Sequence, residues 1–436
     1  MNVKMAERRL GGRALRSLSI RVWASRLVLV AMGGLLPLIA STPSGAAQQP
    51  ATPAAQAPAK PAPLQANLLY ISRRYVEPPP LSLVKKIVTD KGIQGARVGI
   101  EDTNRTGRFL NQNYHLSEMI LSLDDDFKAK AKAALASGQK LILADLEKPD
   151  LLALADMPEA KDAIILDVRT SDDSLRQEDC RSNVFHILPS FAMRTDALGQ
   201  YLAWKKWTRW LLVTGKNPDD LAYAADVKRA AGRLGAKVVD ERTYAYAAGS
   251  RRTDTGHQQV QEQMPLLTQS APPYDVVVVA DESETFGDYL PYRTWDPRPV
   301  VGTQGLYAVA WARPFEEYGG TQLQHRFERE IGRVMTERDY SAWLAVRIIG
   351  EAVLHINSVK PADVRAYLLS DRFGVDGYKG EAMNFRAWDL QLRQPVLLVD
   401  PTELISISPQ QGFLHPKYLT DSLGYDQPET KCRLNK

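Results

Sequence analysis

The residues of this 436-residue chain best suited to chemistry are guanidinium, ammonium and aromatic groups that follow short apolar runs. Arg73, Arg74 and Tyr75 follow the run at 67–71, and Asp167, Arg169, Thr170 and Ser171 follow 163–166. Lys216 follows the bare run Trp210-Leu211-Leu212-Val213. Tyr244 and Tyr246 come after 237–239, and Asp281 with Glu282 after 274–280. Arg194 falls in the first turn of a helix that follows Pro189, where a cation opposes the helix dipole and a bound anion would explain it. Trp295 and Trp311 lie in or beside later loops. Arginine offers a carboxylate two parallel hydrogen bonds from a planar fork, and Tyr and Trp offer flat faces to a ring. The set Arg73, Arg74, Tyr75, Asp167, Arg169, Arg194, Lys216, Tyr246, Asp281, Trp295 and Trp311 therefore reads as the lining of a cleft for an anionic, aromatic ligand. Taken singly, each also fits a surface or hinge-packing role.

Catalysis has no comparable signature. The sequence has no G-x-S-x-G, no H-E-x-x-H, no phosphate-binding G-x-x-x-x-G-K and no C-x-x-C. Its six histidines are dispersed, which argues against a metal site. Asp124-Asp125-Asp126 lacks the rest of a calcium loop and reads as an acidic helix N-terminus. Trp204, Trp207 and Trp210 recur every third residue. A helix end packed on a sheet explains them better than a ligand platform does.

The elements that position these groups are strands and helices in alternation. The stretch 183–242 reads strand, helix, strand, helix, strand. Asn217-Pro218-Asp219-Asp220 gives one helix an N-cap, a proline in its first position and acids in its first turn. Apolar runs without alternation, separated by helices, imply an α/β protein with parallel sheets covered on both faces. Ligands of such sheets bind beyond the carboxyl ends of the strands. Pro189, Gly215-Lys216 and the loop after Val239 are therefore expected to face one cleft. The length exceeds one ordinary core and predicts two lobes.

The net charge of +4 is misleading. Residues 1–26 hold seven basic side chains against Glu7, a net of +6, so the remainder carries −2 and gives no support to nucleic-acid binding. This basic stretch, the apolar run 27–40 and the small residues of 41–47 predict a secretory signal peptide, with an uncleaved anchor as the alternative. An Ala/Pro-rich linker follows. In an exported protein the two cysteines, Cys180 and Cys432, are expected to pair.

The segment from Gly95 to Gly107 keeps Gly95, Glu101-Asp102, Asn104 and Gly107 in a pattern that resembles the end of the first long helix in type I periplasmic binding proteins, the solute receptors of ABC importers. Phe185-His186-Ile187-Leu188-Pro189-Ser190 is similar to the family's crossover element. The helix at 340–355, with Ala342, Trp343 and Val346, is similar to the helix that returns to the first lobe. The resemblance covers roughly 66–412. It implies two lobes, each a parallel sheet flanked by helices, that close by hinge motion around a ligand without catalysis or a required cofactor. The implied organisation is signal peptide 1–47, linker 48–65, first lobe 66–188, second lobe 189–315, returning segments 316–378 and 379–412, and a tail 413–436. Where the amino-acid binders present small and hydroxyl residues, this chain has Ala144-Asp145-Leu146-Glu147-Lys148 and Asp167-Val168-Arg169-Thr170. It looks like the branch that accompanies alcohol dehydrogenase systems dependent on pyrroloquinoline quinone (PQQ). That branch implies a periplasmic receptor for PQQ, or for a compound of PQQ-dependent alcohol oxidation, with the importer's membrane subunits as partners. Lys148 and Lys216 are the nearest amines for a quinone carbonyl. The alternatives are an amino-acid or amide receptor, and an accessory protein that delivers PQQ to a dehydrogenase.

Overall fold

The computed structural model describes residues 62–77, 81, 86–245 and 254–434, with side chains from 260 onward in the last of these segments. The leader and Tyr246 lie outside them. The first lobe is built from β1 (Leu64–Arg73), α1 (Ile93–Gly107), β2 (Gln112–Leu121), α2 (Phe127–Ala136), β3 (Leu141–Asp145), α3 (Lys148–Ala155), β4 (Ile164–Asp167) and β5 (Val184–His186). Its five strands run in the order β2-β1-β3-β4-β5, all parallel. β3 and β4 are buried along their whole length, which is why they read as unbroken apolar runs. β1 starts at Leu64, so the expected linker ends earlier than 65.

The second lobe contains α4 (Phe191–Trp204), β6 (Arg209–Thr214), α5 (Pro218–Arg233), β7 (Lys237–Thr243), α6 (Asp254–Thr268), β8 (Val276–Ala280), α7 (Leu290–Arg293), β9 (Val300–Gly302) and β10 (Leu306–Val309). The chain then forms α8 (Gly320–Ile331), α9 (Glu337–Ile356), α10 (Pro361–Leu368), β11 (Val375–Asp376), β12 (Ala382–Phe385), β13 (Leu392–Arg393), β14 (Val396–Val399) and β15 (Leu404–Ser408). The second sheet has the order β15-β14-β10-β9-β8-β6-β7. Its β14 and β15 are antiparallel, an edge that the apolar runs did not reveal. β11, β12 and β13 make a small antiparallel sheet that the sequence reading misses. No single helix among the described residues is long and apolar enough to cross a membrane.

Two sequence expectations change. The stretch 183–242 does not feed one sheet: β5 closes the first, while β6 and β7 belong to the second. The loop said to follow Val239 begins only after Thr243. The first helix starts at Ile93: residues 86–90 form no helix and Gly92 turns the chain at φ 83°. The segment Gly95 to Gly107 is thus the helix itself. Asp102 accepts hydrogen bonds from Trp343 Nε1 (2.9 Å) and Arg326 (2.5 Å), and Asn104 exchanges two bonds with the backbone of Tyr114 (2.9 Å each). A side chain at Gly95 would stand 1.8 Å from the carbonyl oxygen of Asp339. The conspicuous motif therefore docks α1 on α8, α9 and β2.

α9 is buried along most of its length and returns to the core of the first lobe. Its Tyr340 and Trp343 continue a stack that runs Trp311, Tyr340, Trp343, Tyr378, with successive ring centroids 4.8, 5.9 and 5.6 Å apart. Cys180 and Cys432 form a disulfide, as expected.

Candidate functional site

At the rim of the first lobe the carboxyl ends of β1, β3 and β4 lie side by side, and their polar groups form a closed network. Asp145 accepts from Tyr70 Oη (2.6 Å) and pairs with Arg169 (3.2 Å). Arg169 also approaches Glu147 (3.5 Å) and Glu77 (4.0 Å), and lies over the Tyr75 ring, 4.7 Å from its centroid. Tyr75 donates to Asp150 (2.6 Å) and accepts from the Glu147 amide (3.0 Å). Arg73 takes both oxygens of Asp150 (3.0 and 3.1 Å). From α9, Arg338 pairs with Glu77 (2.8 Å) and reaches Asp145 (3.9 Å). Burial alone would raise the Glu77 carboxyl, but Lys91 and Arg338 bring it down to about 2. Lys148 is held between Asp179 (3.0 Å) and Asp172 (3.2 Å), which keep its amine charged despite desolvation.

On the second lobe Arg194 rises from the first turn of α4, donates to Ala308 O (2.8 Å) and pairs with Glu282 (3.0 Å), the second residue after β8. Its anion is thus built into the protein. Its guanidinium lies 5.7 Å from the ring centroid of Tyr223, on α5. Thr214 Oγ1 at the end of β6 and the Tyr223 hydroxyl are buried without hydrogen-bond partners among the described residues. Burial pushes the Glu282 carboxyl up; Arg194 opposes this, while Glu337 and Asp219 add to it. Asp219, in the first turn of α5, is raised by burial and then by Asp172 of the first lobe, with Arg169 and Lys148 opposing. The charge of Asp172 on the first lobe thus acts on Asp219 of the second.

Residues 90–402 match the family model described as periplasmic binding protein. The chain belongs to this family. The fold of this periplasmic binding protein is shared by several solved structures. A branched-chain amino-acid ABC transporter periplasmic ligand-binding protein from Burkholderia xenovorans superposes with a TM-score of 0.61 at 14% identity, covering 86% of this chain and 100% of that one. A periplasmic binding protein from Burkholderia mallei gives 0.60 at 12% identity, over 86% and 99%. A solute-binding protein from R. palustris, in complex with benzoate, gives 0.56 at 13% identity, over 86% and 100%. A search of curated proteins found no match.

Of the residues singled out from the sequence, the first-lobe rim gathers Arg73, Tyr75 and Arg169, and the second-lobe rim carries Arg194. Arg74 and Lys216 are exposed. The others among the described residues have structural partners. Asp167 is buried and accepts from the backbone amides of Arg169 (3.1 Å) and Thr170 (3.0 Å), from Thr170 Oγ1 (2.5 Å) and at His186 Nδ1 (2.9 Å). Asp281 takes the amides of Thr285 (2.8 Å), Phe286 (3.0 Å) and Gly287 (2.7 Å), so its carboxylate staples its own loop. Trp311, 2% exposed, sits in the aromatic stack of the core. Trp295 bonds through its amide to Thr268, at the end of α6 and before β8 begins, on the side opposite the carboxyl ends. Trp210 is core and Trp204 is exposed, which agrees with the helix-end reading. Among the described residues no cluster of three or more His, Cys, Asp or Glu is placed to hold a metal. Glu282, singled out with Asp281 as a strand-end acid, lies at this rim; the residues missed are Asp172, Asp219, Tyr223, Glu337 and Arg338. Of these only Asp219 carried a local signal, as an acid at a helix start.

Proposed function

We propose that this chain is the periplasmic solute receptor of an ABC importer and that its ligand carries an ammonium or amide donor, as an amino acid or small amide does. The observation that supports this reading is the charge pattern of the cleft. Arg73, Arg169, Arg194 and Arg338 are each matched by carboxylates of the protein itself. Burial and the charge of Asp172 on the other lobe push the Asp219 carboxyl up, and the half-buried Glu282, paired with Arg194, is pushed up by burial and by Glu337 and Asp219. A bound cation or hydrogen-bond donor relieves this repulsion and draws the lobes together, so binding and closure are coupled. An anion would add to the repulsion, or would have to displace existing ion pairs.

The test is a calorimetric titration of the chain from Gln48 onward with amino acids and small amides. One-to-one binding that weakens at least ~30-fold in Glu282→Gln, the lower bound of about 2 kcal/mol for a buried charge pair, supports the reading. Unchanged affinity in that variant overturns it. A second reading, an anionic aromatic ligand such as PQQ, draws on the exposed cations Arg74 and Lys216 and on the benzoate held by the R. palustris protein of the same fold. Delivery of PQQ to a dehydrogenase belongs to that second reading. Saturable PQQ binding that is lost in Arg74→Ala or Lys216→Ala would favour it.

A further inference from the structure

The tail after Phe413 is not a loose appendage. Leu423 is fully buried in the core of the second lobe. Gly424 donates to Asp196 of α4 (2.9 Å) and accepts from Arg233 of α5 (2.7 Å), and the Arg229 guanidinium lies 4.7 Å from the centroid of the Tyr425 ring. Just before this, Asp421 is buried between Arg386 (2.8 Å) and Arg393 (2.8 Å), around the small sheet of β11–β13. A few residues later the chain has changed lobes. The Lys431 amide donates to Gln177 (2.7 Å), and Cys432 is bonded to Cys180. Cys180 belongs to the loop between β4 and β5, which is fixed to the first lobe by Arg181–Asp156 (2.5 Å) and Lys148–Asp179 (3.0 Å).

We infer that residues 413–434 form a covalent strap across the two lobes that restrains their opening. The segment from Gly424 to Cys432 spans at most roughly 29 Å when fully extended, and part of it is coiled in the turn Gln427–Glu429. Opening must uncoil this turn and break the Lys431–Gln177 bond before the disulfide comes under tension. With the disulfide intact the closed arrangement is favoured, and breaking it releases the second lobe. A strap of this kind lowers the conformational cost of binding and makes the receptor sensitive to thiol redox state. The inference depends on the two-lobed hinge and not on ligand identity.

The test compares the ligand-free chain from Gln48 onward, oxidised and reduced, by small-angle scattering and hydrogen exchange. The backbone amides of Phe191 and Ala192 report on the lobe junction, since they donate across it to Ser171 O (2.9 Å) and Asp173 Oδ2 (2.9 Å). Reduction is expected to enlarge the radius of gyration and to speed exchange at these two amides on the order of tenfold. Cys432→Ser should behave like the reduced protein, with unchanged far-ultraviolet circular dichroism. Should that variant not fold, reduction of the folded wild type gives the same readout. An unchanged scattering curve, with faster exchange confined to 425–434, overturns the strap. Because no ligand is used, that result would leave the proposed function untouched.

Discussion

At the scale of single residues, the cleft is a case of arginines already in use. Arg169 is almost buried between Asp145 and Glu147 and against the Tyr75 ring. Arg169→Ala leaves Asp145 buried with the Tyr70 hydroxyl and, as a cation, only the more distant Arg338, and should cost about 2–3 kcal/mol in urea unfolding. Asp145→Asn in the same chain should recover much of that loss, because the uncompensated charge is gone. If Arg169 served only as a ligand anchor, stability would not change. A second residue-scale prediction concerns Asp226 of α5. Burial, and then the neighbouring Asp173 of the first lobe, push its carboxyl up to about 8. Folded Asp226 thus holds a proton that the unfolded chain releases near pH 4. Its contribution to stability is full below that pH and is lost as pH rises toward about 8. The unfolding free energy of Asp226→Asn relative to wild type should therefore increase between pH 4 and pH 8, by about 1–3 kcal/mol, and then level off. A difference that does not vary with pH would contradict this. The arginines themselves were legible in the sequence, but their partners were not. Arg338 stands 261 residues from Glu77, and no local pattern links them.

At the scale of elements, strand and helix order follows from apolar runs and caps. The bare runs at 210–213 and 276–280 lie in strands buried on both faces, and the Asn217-Pro218-Asp219-Asp220 start is a capped helix N-terminus with a capping box. What was not legible is which helix lies on which. The glycines of α1 make sense only beside α9, where Gly95 meets Asp339 and Gly99 meets Val346. Gly95→Ala should therefore destabilise by about 3 kcal/mol, since the close approach leaves no room for a methyl group. A thermal unfolding curve unchanged from wild type would show that the helices are spaced further apart. Trp311 illustrates the same limit. A tryptophan beside a loop looks like a ligand platform until Tyr340 is found stacked on it at 4.8 Å. The apolar run at 396–399 reads as a strand, but its antiparallel pairing with 404–408 does not, and the short strands at the junction carry too few residues to impose a recognisable period.

At the scale of the whole molecule, two lobes, a buried junction and a crosslinked tail act together. A disulfide that closes a loop of 252 residues stabilises by up to about 5 kcal/mol on the chain-entropy model, so reduced protein should unfold at clearly lower denaturant concentration. The pairing was legible from the number of cysteines and the expected export of the chain. The route of the tail between the lobes was not, because it depends on how the lobes sit against each other. Asp172 of one lobe raises the carboxyl of Asp219 on the other, and burial, Glu337 and Asp219 raise that of the half-buried Glu282. The most direct measurement is a titration of the chain from Gln48 onward with the common amino acids and small amides beside PQQ, followed by intrinsic tryptophan fluorescence and repeated in Glu282→Gln. The expected result is saturable one-to-one binding of an ammonium- or amide-bearing solute that the variant loses. Saturation by PQQ alone, undiminished in the variant, would contradict it.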